Sequence, residues 1–115
     1  MRWSIVFAGL ALAGCSFSEA VAPLSPNPPD PAALGRIVES VSAQAKLPSP
    51  IEVSAIRVAH PISPAEWMVC LKSSAPDQSR RYAVFMRNNE MVAFRLGVLI
   101  DECDHQTYQP FVKTP

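Results

Sequence analysis

The clearest fold signal in this chain is the stretch Arg81-Tyr-Ala-Val-Phe-Met-Arg-Asn-Asn-Glu-Met-Val-Ala-Phe-Arg-Leu96. On each side of Asn88-Asn89, side chains alternate with the period of two that is typical of β-strands. Asparagine tolerates a positive φ better than any residue except glycine, which suits the two-residue type I′ turn of a hairpin. The sequence therefore predicts two antiparallel strands joined at Asn88-Asn89.

The predicted hairpin has two different faces. Counting outward from the turn pairs Arg87 with Glu90, Met86 with Met91, Phe85 with Val92, Val84 with Ala93 and Ala83 with Phe94. One face then carries Phe85, Val92, Phe94 and Leu96, and we expect a helix to cover it. The opposite face includes Tyr82, Met86, Met91 and Arg95, and half-exposed Met and Tyr side chains can mark a contact surface. These four residues are our candidate partner-binding face; the alternative is that the C-terminal segment or the N-terminal tether covers it.

A helix is predicted before the strands. Asp30-Pro31 is typical of an N-cap followed by proline at the first helical position. Apolar residues then recur with helical spacing over residues 31–46, and Pro48 and Pro50 prevent its continuation. The apolar positions are Leu34, Ile37, Val38, Val41 and Ala45.

Two further strands are predicted between the helix and the hairpin. Over residues 51–58, apolar and polar side chains alternate, but the alternation changes phase at Ala55-Ile56. This change indicates either a bulge there or a strand buried on both faces. In the next strand, Trp67, Val69 and Leu71 share one face, and Cys70 points away from it. The predicted fold class is α+β, with one N-terminal helix packed on a small antiparallel sheet of about four strands.

The first residues match the pattern of an export signal. Met1-Arg2 is followed by an apolar run from Trp3 that is shorter than a bilayer-spanning helix requires. The run ends in Leu12-Ala13-Gly14-Cys15, which resembles the lipobox of bacterial lipoproteins. The resemblance implies cleavage after Gly14, acylation of Cys15 and a membrane anchor of several acyl chains, and Ser16 favours the outer membrane over retention at the inner one. The alternative is an ordinary signal peptide in which Cys15 is incidental.

The other two cysteines are expected to form a disulfide. With Cys15 assigned to lipid, Cys70 and Cys103 are the only possible intramolecular pair in an oxidising periplasm. Such a bridge contributes roughly 3–4 kcal/mol by chain-entropy estimates. We interpret it as structural, since no Cys-x-x-Cys spacing supports redox chemistry.

The chain divides into three parts. Residues 1–14 are the predicted signal peptide, residues 15–29 a proline-rich disordered tether, and residues 30–115 one small α+β domain. The ten basic and ten acidic residues balance and are dispersed, so no nucleic-acid footprint is present.

Little in the sequence points to catalysis. The one concentration of polar chemistry is Asp101, Glu102, Asp104 and His105, to which His60 could be added as a metal-binding set. No metal-ligand spacing organises these residues, and we interpret them as a solvated acidic turn. No Gly-x-Ser-x-Gly elbow or phosphate-binding glycine loop occurs either. We therefore expect no enzyme activity, no cofactor and no metal.

The most consistent function is that of a non-catalytic interaction or assembly module of the bacterial envelope, held at the outer membrane and facing the periplasm. Its expected partners are the membrane, through the lipid anchor, and an envelope protein. The alternatives are a periplasmic module that binds a small ligand or metal, or an inhibitor-like module that presents the 73–80 loop to an enzyme.

Overall fold

A computed structural model of the protein describes residues 27–112. The predicted signal peptide, Cys15, the tether up to residue 26 and residues 113–115 lie outside the described residues. In chain order, the elements are α1 (Pro31–Gln44), β1 (Ile51–Ser54), β2 (Arg57–Val58), β3 (Trp67–Ser73), β4 (Arg81–Arg87), β5 (Glu90–Leu96), the 3₁₀ turns Leu99–Asp101 and Cys103–His105, and β6 (Tyr108–Pro110).

Helix α1 begins where the capping signal lies. The Asp30 side chain accepts a hydrogen bond from the Ala33 backbone N–H at 2.8 Å, and Pro31 occupies the first helical position. The helix ends at Gln44, two residues earlier than expected, and Lys46 has a φ of 56°. Since 30 residues precede it, α1 is not at the N-terminus of the chain. Its buried face consists of Ala33, Ile37, Val38 and Val41.

The sheet is antiparallel and has six strands, so the expected number of about four is too low. The strand order is β5-β4-β3-β1-β6, with β2 also paired to β3. Two differences account for the additional strands. The predicted strand over residues 51–58 is divided into β1 and β2, and residues 108–110 form β6, which pairs with β1.

The interruption lies at Ala55-Ile56, between β1 and β2, which both pair with β3. The break would leave a backbone donor of β3 without a strand partner. The Ser54 hydroxyl replaces that partner by accepting a hydrogen bond from the Cys70 backbone N–H at 2.8 Å. A buried serine thus satisfies a donor that would otherwise be costly to bury.

The hairpin forms as predicted at its turn and differs beyond it. Asn88 and Asn89 have φ values of 52° and 64°, and Arg87–Glu90 and Met86–Met91 pair as expected. The pairing then shifts, because Phe85 lies opposite Ala93 instead of Val92. Val92 is the extra residue of a β-bulge, and the bulge exchanges the faces of every later residue of β5.

The predicted assignment of the hairpin faces is therefore wrong. Helix α1 covers the face that carries Val84 and Met86, together with half-buried Met91 and Phe94. Met86 is fully buried, Tyr82 is 8% exposed, and Arg95 lies on the opposite face. The four residues assigned to a partner-binding surface do not form one exposed surface. The cause is the bulge together with the large apolar side chains of β3 that already occupy this face, which are Trp67, Val69 and Leu71.

The other face of the sheet carries a second buried cluster. Phe85, Ala83, Met68 and Cys70 pack there against residues of the two long connections. The connection before β3 contributes Ala59 and Ala65, and the segment after β5 contributes Cys103 and half-buried Tyr108. The alternative that a C-terminal segment covers the Met86 face is met only in part. Cys103 and Tyr108 lie on the face of Phe85, whereas Phe111 packs against the cluster on the face of α1.

Candidate functional site

The segment that links β5 to β6 consists of two 3₁₀ turns and short irregular stretches. Its two 3₁₀ turns meet at Glu102, which has a left-handed backbone with a φ of 53°. Three interactions hold this segment against the sheet: an ion pair, a backbone contact and a disulfide.

The ion pair joins Asp101 to Arg95. Arg95 Nη2 lies 2.8 Å from Asp101 Oδ1, and Arg95 Nε lies 3.1 Å from Oδ2. The carboxylate is fully buried and also accepts a hydrogen bond from the Val98 backbone N–H at 3.0 Å. Burial by itself raises the pKa of Asp101, but the bonds from Arg95 and Val98 and the nearby arginine charges outweigh it, so the pKa lies below the usual value. The same pair raises the pKa of Arg95.

A second arginine reaches the same place from β2. Arg57 donates from Nη2 to the backbone carbonyl of Asp101, and that nitrogen lies 3.9 Å from Cys70 Sγ. On the sheet, the Arg95 guanidinium lies 4.9 Å from the centre of the Phe85 ring. Cation–π contacts of this kind stabilise a partly buried charge. Two arginines from different strands thus hold one acidic residue.

The disulfide joins the segment to β3. The sulfurs of Cys70 and Cys103 are 2.11 Å apart and the Cα atoms 5.6 Å apart, which confirms the predicted pairing. Tyr108 donates from its hydroxyl to the Cys103 carbonyl at 2.8 Å, and burial raises the pKa of that hydroxyl. Gly97 lies against the bridge: a Cβ there would be 3.3 Å from both Cβ and Sγ of Cys103.

A cavity of about 430 Å³ opens beside this segment. Arg80 and Arg81 supply its positive charge, whereas Glu102 and Asp104 supply negative charge. Arg81 Nη1 lies 3.5 Å from Asp104 Oδ1, and the Arg80 Nη1 atom lies 3.0 Å from the Tyr82 hydroxyl. The complete lining consists of Ser79, Arg80, Arg81, residues 96–99, and residues 102–105.

Three exposed aliphatic side chains line this cavity. Leu99 is 89% exposed, Leu96 54% and Val98 50%. They lie within four residues on the segment that the ion pair and the disulfide hold. We call these three residues the aliphatic patch. Exposed apolar side chains that lie close together can mark a protein contact site.

The predicted acidic set is divided between two environments. Asp101 is buried and engaged by Arg95, whereas Glu102, Asp104 and His105 are exposed and line the cavity. His60 is not among the cavity residues, and its Nδ1 accepts a hydrogen bond from the Ile62 backbone N–H at 3.2 Å. Within residues 27–112, no group of three or more His, Cys, Asp and Glu side chains is placed to hold a metal ion.

Sequence reasoning did not single out the aliphatic patch or Arg57. The only sequence signal of the patch is the short apolar run Leu96-Gly97-Val98-Leu99 at the end of the predicted hairpin. The role of Arg57 carries no local signal, because its partner is 44 residues away.

Comparison with protein-family models, curated proteins and solved structures finds no match for this chain. In the part of the chain that the structure describes, no helix has both the length and the apolar character needed to cross a membrane.

Proposed function

We propose that this protein is a bacterial lipoprotein, anchored at the outer membrane through acylated Cys15, that acts as a non-catalytic interaction or assembly module in the periplasm. The lipobox Leu12-Ala13-Gly14-Cys15 supports the anchor. The Cys70–Cys103 bridge supports an oxidising compartment, since disulfides persist there and are rare in the cytosol.

The anchor is tested by the intact mass of the full chain extracted from membranes. We expect the mass of a chain that starts at Cys15 and carries acyl chains. When the lipoprotein signal peptidase is inhibited, the uncleaved precursor should accumulate. Alkylation should reveal two thiols only after reduction. An unlipidated product with free thiols would contradict both the anchor and the compartment.

The aliphatic patch is the observation that carries the contact function. Leu96, Val98 and Leu99 are exposed, yet the backbone beneath them is fixed by the Arg95–Asp101 pair and the disulfide. A contact surface of this kind loses little conformational entropy on binding, because its backbone is already ordered. We therefore place the envelope-protein contact at the aliphatic patch rather than at Tyr82, Met86, Met91 and Arg95.

Substitution tests this placement directly. Leu99→Glu puts a charge in the patch at the most exposed position and should abolish in-cell cross-linking to an envelope protein. Ile62→Glu is the matched control, since Ile62 is 75% exposed and lies outside the patch. Both variants should keep the wild-type unfolding midpoint. Cross-links that survive Leu99→Glu, or that disappear equally with Ile62→Glu, would exclude the patch.

A second candidate function is the binding of a small anionic ligand in the cavity. The observation that favours it is Arg81, whose Nε is buried without a hydrogen-bond partner while Arg80 lines the same cavity. A carboxylate or phosphate group would satisfy such a nitrogen. A bound ligand stabilises the folded state, so millimolar citrate or phosphate should raise the unfolding temperature of the wild type and not of Arg80→Gln. The absence of any rise would end this candidate.

A further inference from the structure

The outer edge of strand β5 is open in the described structure. β5 lies at the end of the strand order, and β4 is its only strand partner among residues 27–112. The opposite edge, β6, has three residues and contains Pro110. β5 has seven residues and no proline, and an edge of this kind is a template for another strand.

The backbone of β5 offers hydrogen-bonding groups at this edge in two places. The two-residue turn closes on the Arg87–Glu90 pair, so the alternation of ladder bonds directs the Met91 N–H and C=O away from β4. Beyond the bulge, the Gly97 N–H donates to the Arg81 carbonyl at 2.8 Å. Counting back from Gly97, the same alternation directs the Phe94 groups outward.

The side chains of β5 are self-complementary about its centre. Met91 and Phe94 lie on the face of α1 and are only half-buried. Glu90 and Arg95 lie on the opposite face, because they pair with Arg87 and Ala83 of β4. A second β5 strand can be placed antiparallel to the first, with the two-fold axis between Val92 and Ala93. Apolar side chains then lie opposite apolar ones, and negative side chains lie opposite positive ones.

We propose that this edge binds a second copy of the chain, with the two β5 strands antiparallel around a two-fold axis between Val92 and Ala93. Met91 of each copy lies opposite Phe94 of the other, where both direct backbone groups to the edge. Glu90 of each copy lies opposite Arg95 of the other. The two six-stranded sheets become continuous, with both helices on the same side.

The internal role of Arg95 is compatible with this second contact. Asp101 engages Nε and Nη2, which leaves Nη1, and the Arg95 side chain is 37% exposed. Charge complementarity favours a second copy of the chain as the occupant of this edge. In the register that pairs the outward backbone groups of Met91 and Phe94, Glu90 of each copy lies opposite Arg95 of the other. Leu96 belongs both to β5 and to the aliphatic patch, but the paired residues of the proposed interface do not include Leu99, so Leu99→Glu tests the patch separately.

The test is the oligomeric mass of the full chain, purified in detergent and measured by native mass spectrometry over a range of concentrations. The wild type should give dimers. Glu90→Lys, which opposes a lysine to Arg95, and Val92→Lys, which places a charge at the edge, should each raise the dimer dissociation constant about tenfold or more. Glu39→Lys on the exposed face of α1 and Ile62→Lys are the matched controls and should dimerise as the wild type does.

Thermal unfolding of the same samples shows that each variant is folded. A wild type that remains monomeric at the highest concentration overturns the proposal. This holds also if the β5 amides of the monomer are protected from hydrogen exchange, because another segment of the same chain would then cover the edge. Dimers that survive both Glu90→Lys and Val92→Lys also overturn it, because the copies would then meet elsewhere or share only a micelle.

Discussion

The backbone N–H of Asp30 donates to the Asn89 side-chain oxygen at 3.0 Å, so the start of the helix is tied to the tip of the hairpin 59 residues later. Asp30 is also the N-cap of α1. One residue therefore sets where the helix begins, and its backbone fixes that beginning against the sheet. The bond helps to align the apolar face of α1 with the face of the hairpin that carries Met86.

The N-cap can be tested separately from this long-range bond. Asp30→Ala removes the acceptor for the Ala33 N–H and leaves the Asp30 backbone N–H in place, so it should lower the free energy of unfolding by about 1 kcal/mol. Asp30→Asn keeps a capping oxygen and should cost much less. Urea unfolding monitored by circular dichroism measures both, and equal losses would show that charge, not capping, is responsible.

Reduction of the disulfide should lower the stability substantially. Cys70→Ala/Cys103→Ala opens a closed loop with a sequence separation of 33 residues and should cost roughly 3–4 kcal/mol. Unfolding of the oxidised protein, the reduced protein and the double variant gives the comparison. The reduced wild type and the variant should agree, and a variant as stable as the oxidised protein would contradict the structural role.

The Asp101–Arg95 pair predicts acid sensitivity. Because the pKa of Asp101 is lower in the folded state, the unfolded state takes up the proton more readily. The stability from the ionised carboxylate is therefore complete above the unfolded pKa of about 3.9, and it is lost as the pH falls through the lower folded pKa.

Asp101→Asn removes this titration and isolates its contribution. We expect the variant to be less stable than the wild type by about 1–3 kcal/mol at neutral pH. The difference should shrink as the pH falls below about 4, because the carboxyl of the unfolded wild-type chain takes up its proton first, and it should be lost as the pH passes through the lower folded pKa. Urea unfolding at several pH values measures it, and a difference that stays constant would mean that Asp101 contributes through packing alone.

The two glycines of the described structure should respond oppositely to alanine. At Gly97 an added Cβ lies 3.3 Å from the disulfide, so Gly97→Ala should destabilise the protein by on the order of 1 kcal/mol. At Gly35, inside α1, the nearest atom is Phe111 Cζ at 4.0 Å, and Gly35→Ala should stabilise by up to about 1 kcal/mol. An unfolding midpoint that rises with Gly97→Ala would refute the close approach at Gly97, and one that falls with Gly35→Ala would refute the open space at Gly35.

Truncation of Met86 tests whether its side chain belongs to the core or to an exposed surface. The side chain is fully buried, so Met86→Ala should cost about 2–5 kcal/mol. Val58→Ala is the control, because Val58 is 62% exposed on β2 and its truncation should cost little. A nearly neutral Met86→Ala would restore the earlier interpretation of Met86 as part of an open face.

Much of the local structure was predictable because its causes are local. The start of α1 follows from Asp30-Pro31, the hairpin turn from Asn88-Asn89, and the interruption near Ala55-Ile56 from the change of phase. The faces of β3 also follow from alternation, and they place Cys70 on the face opposite Trp67. Each of these features depends on a few neighbouring residues.

The candidate site was predictable only in part. Cys70 and Cys103 follow from counting cysteines, and the bridge forms. The partner face was not predictable, because a single extra residue at Val92 exchanges the faces of Phe94 and Arg95. The aliphatic patch was not predictable either, since the exposure of Leu99 depends on how distant segments cover the sheet.

Short windows of sequence are sufficient to predict the helix start, the turn and the alternating strands, because backbone preferences are local. The pairing of Cys70 with Cys103 follows instead from elimination among three cysteines. Only the folded chain shows which face of the hairpin lies against α1, that Arg57 and Arg95 hold Asp101, and which apolar residues stay exposed. Burial and charge pairing are properties of contacts between distant segments. They depend on the register and the packing of the whole sheet.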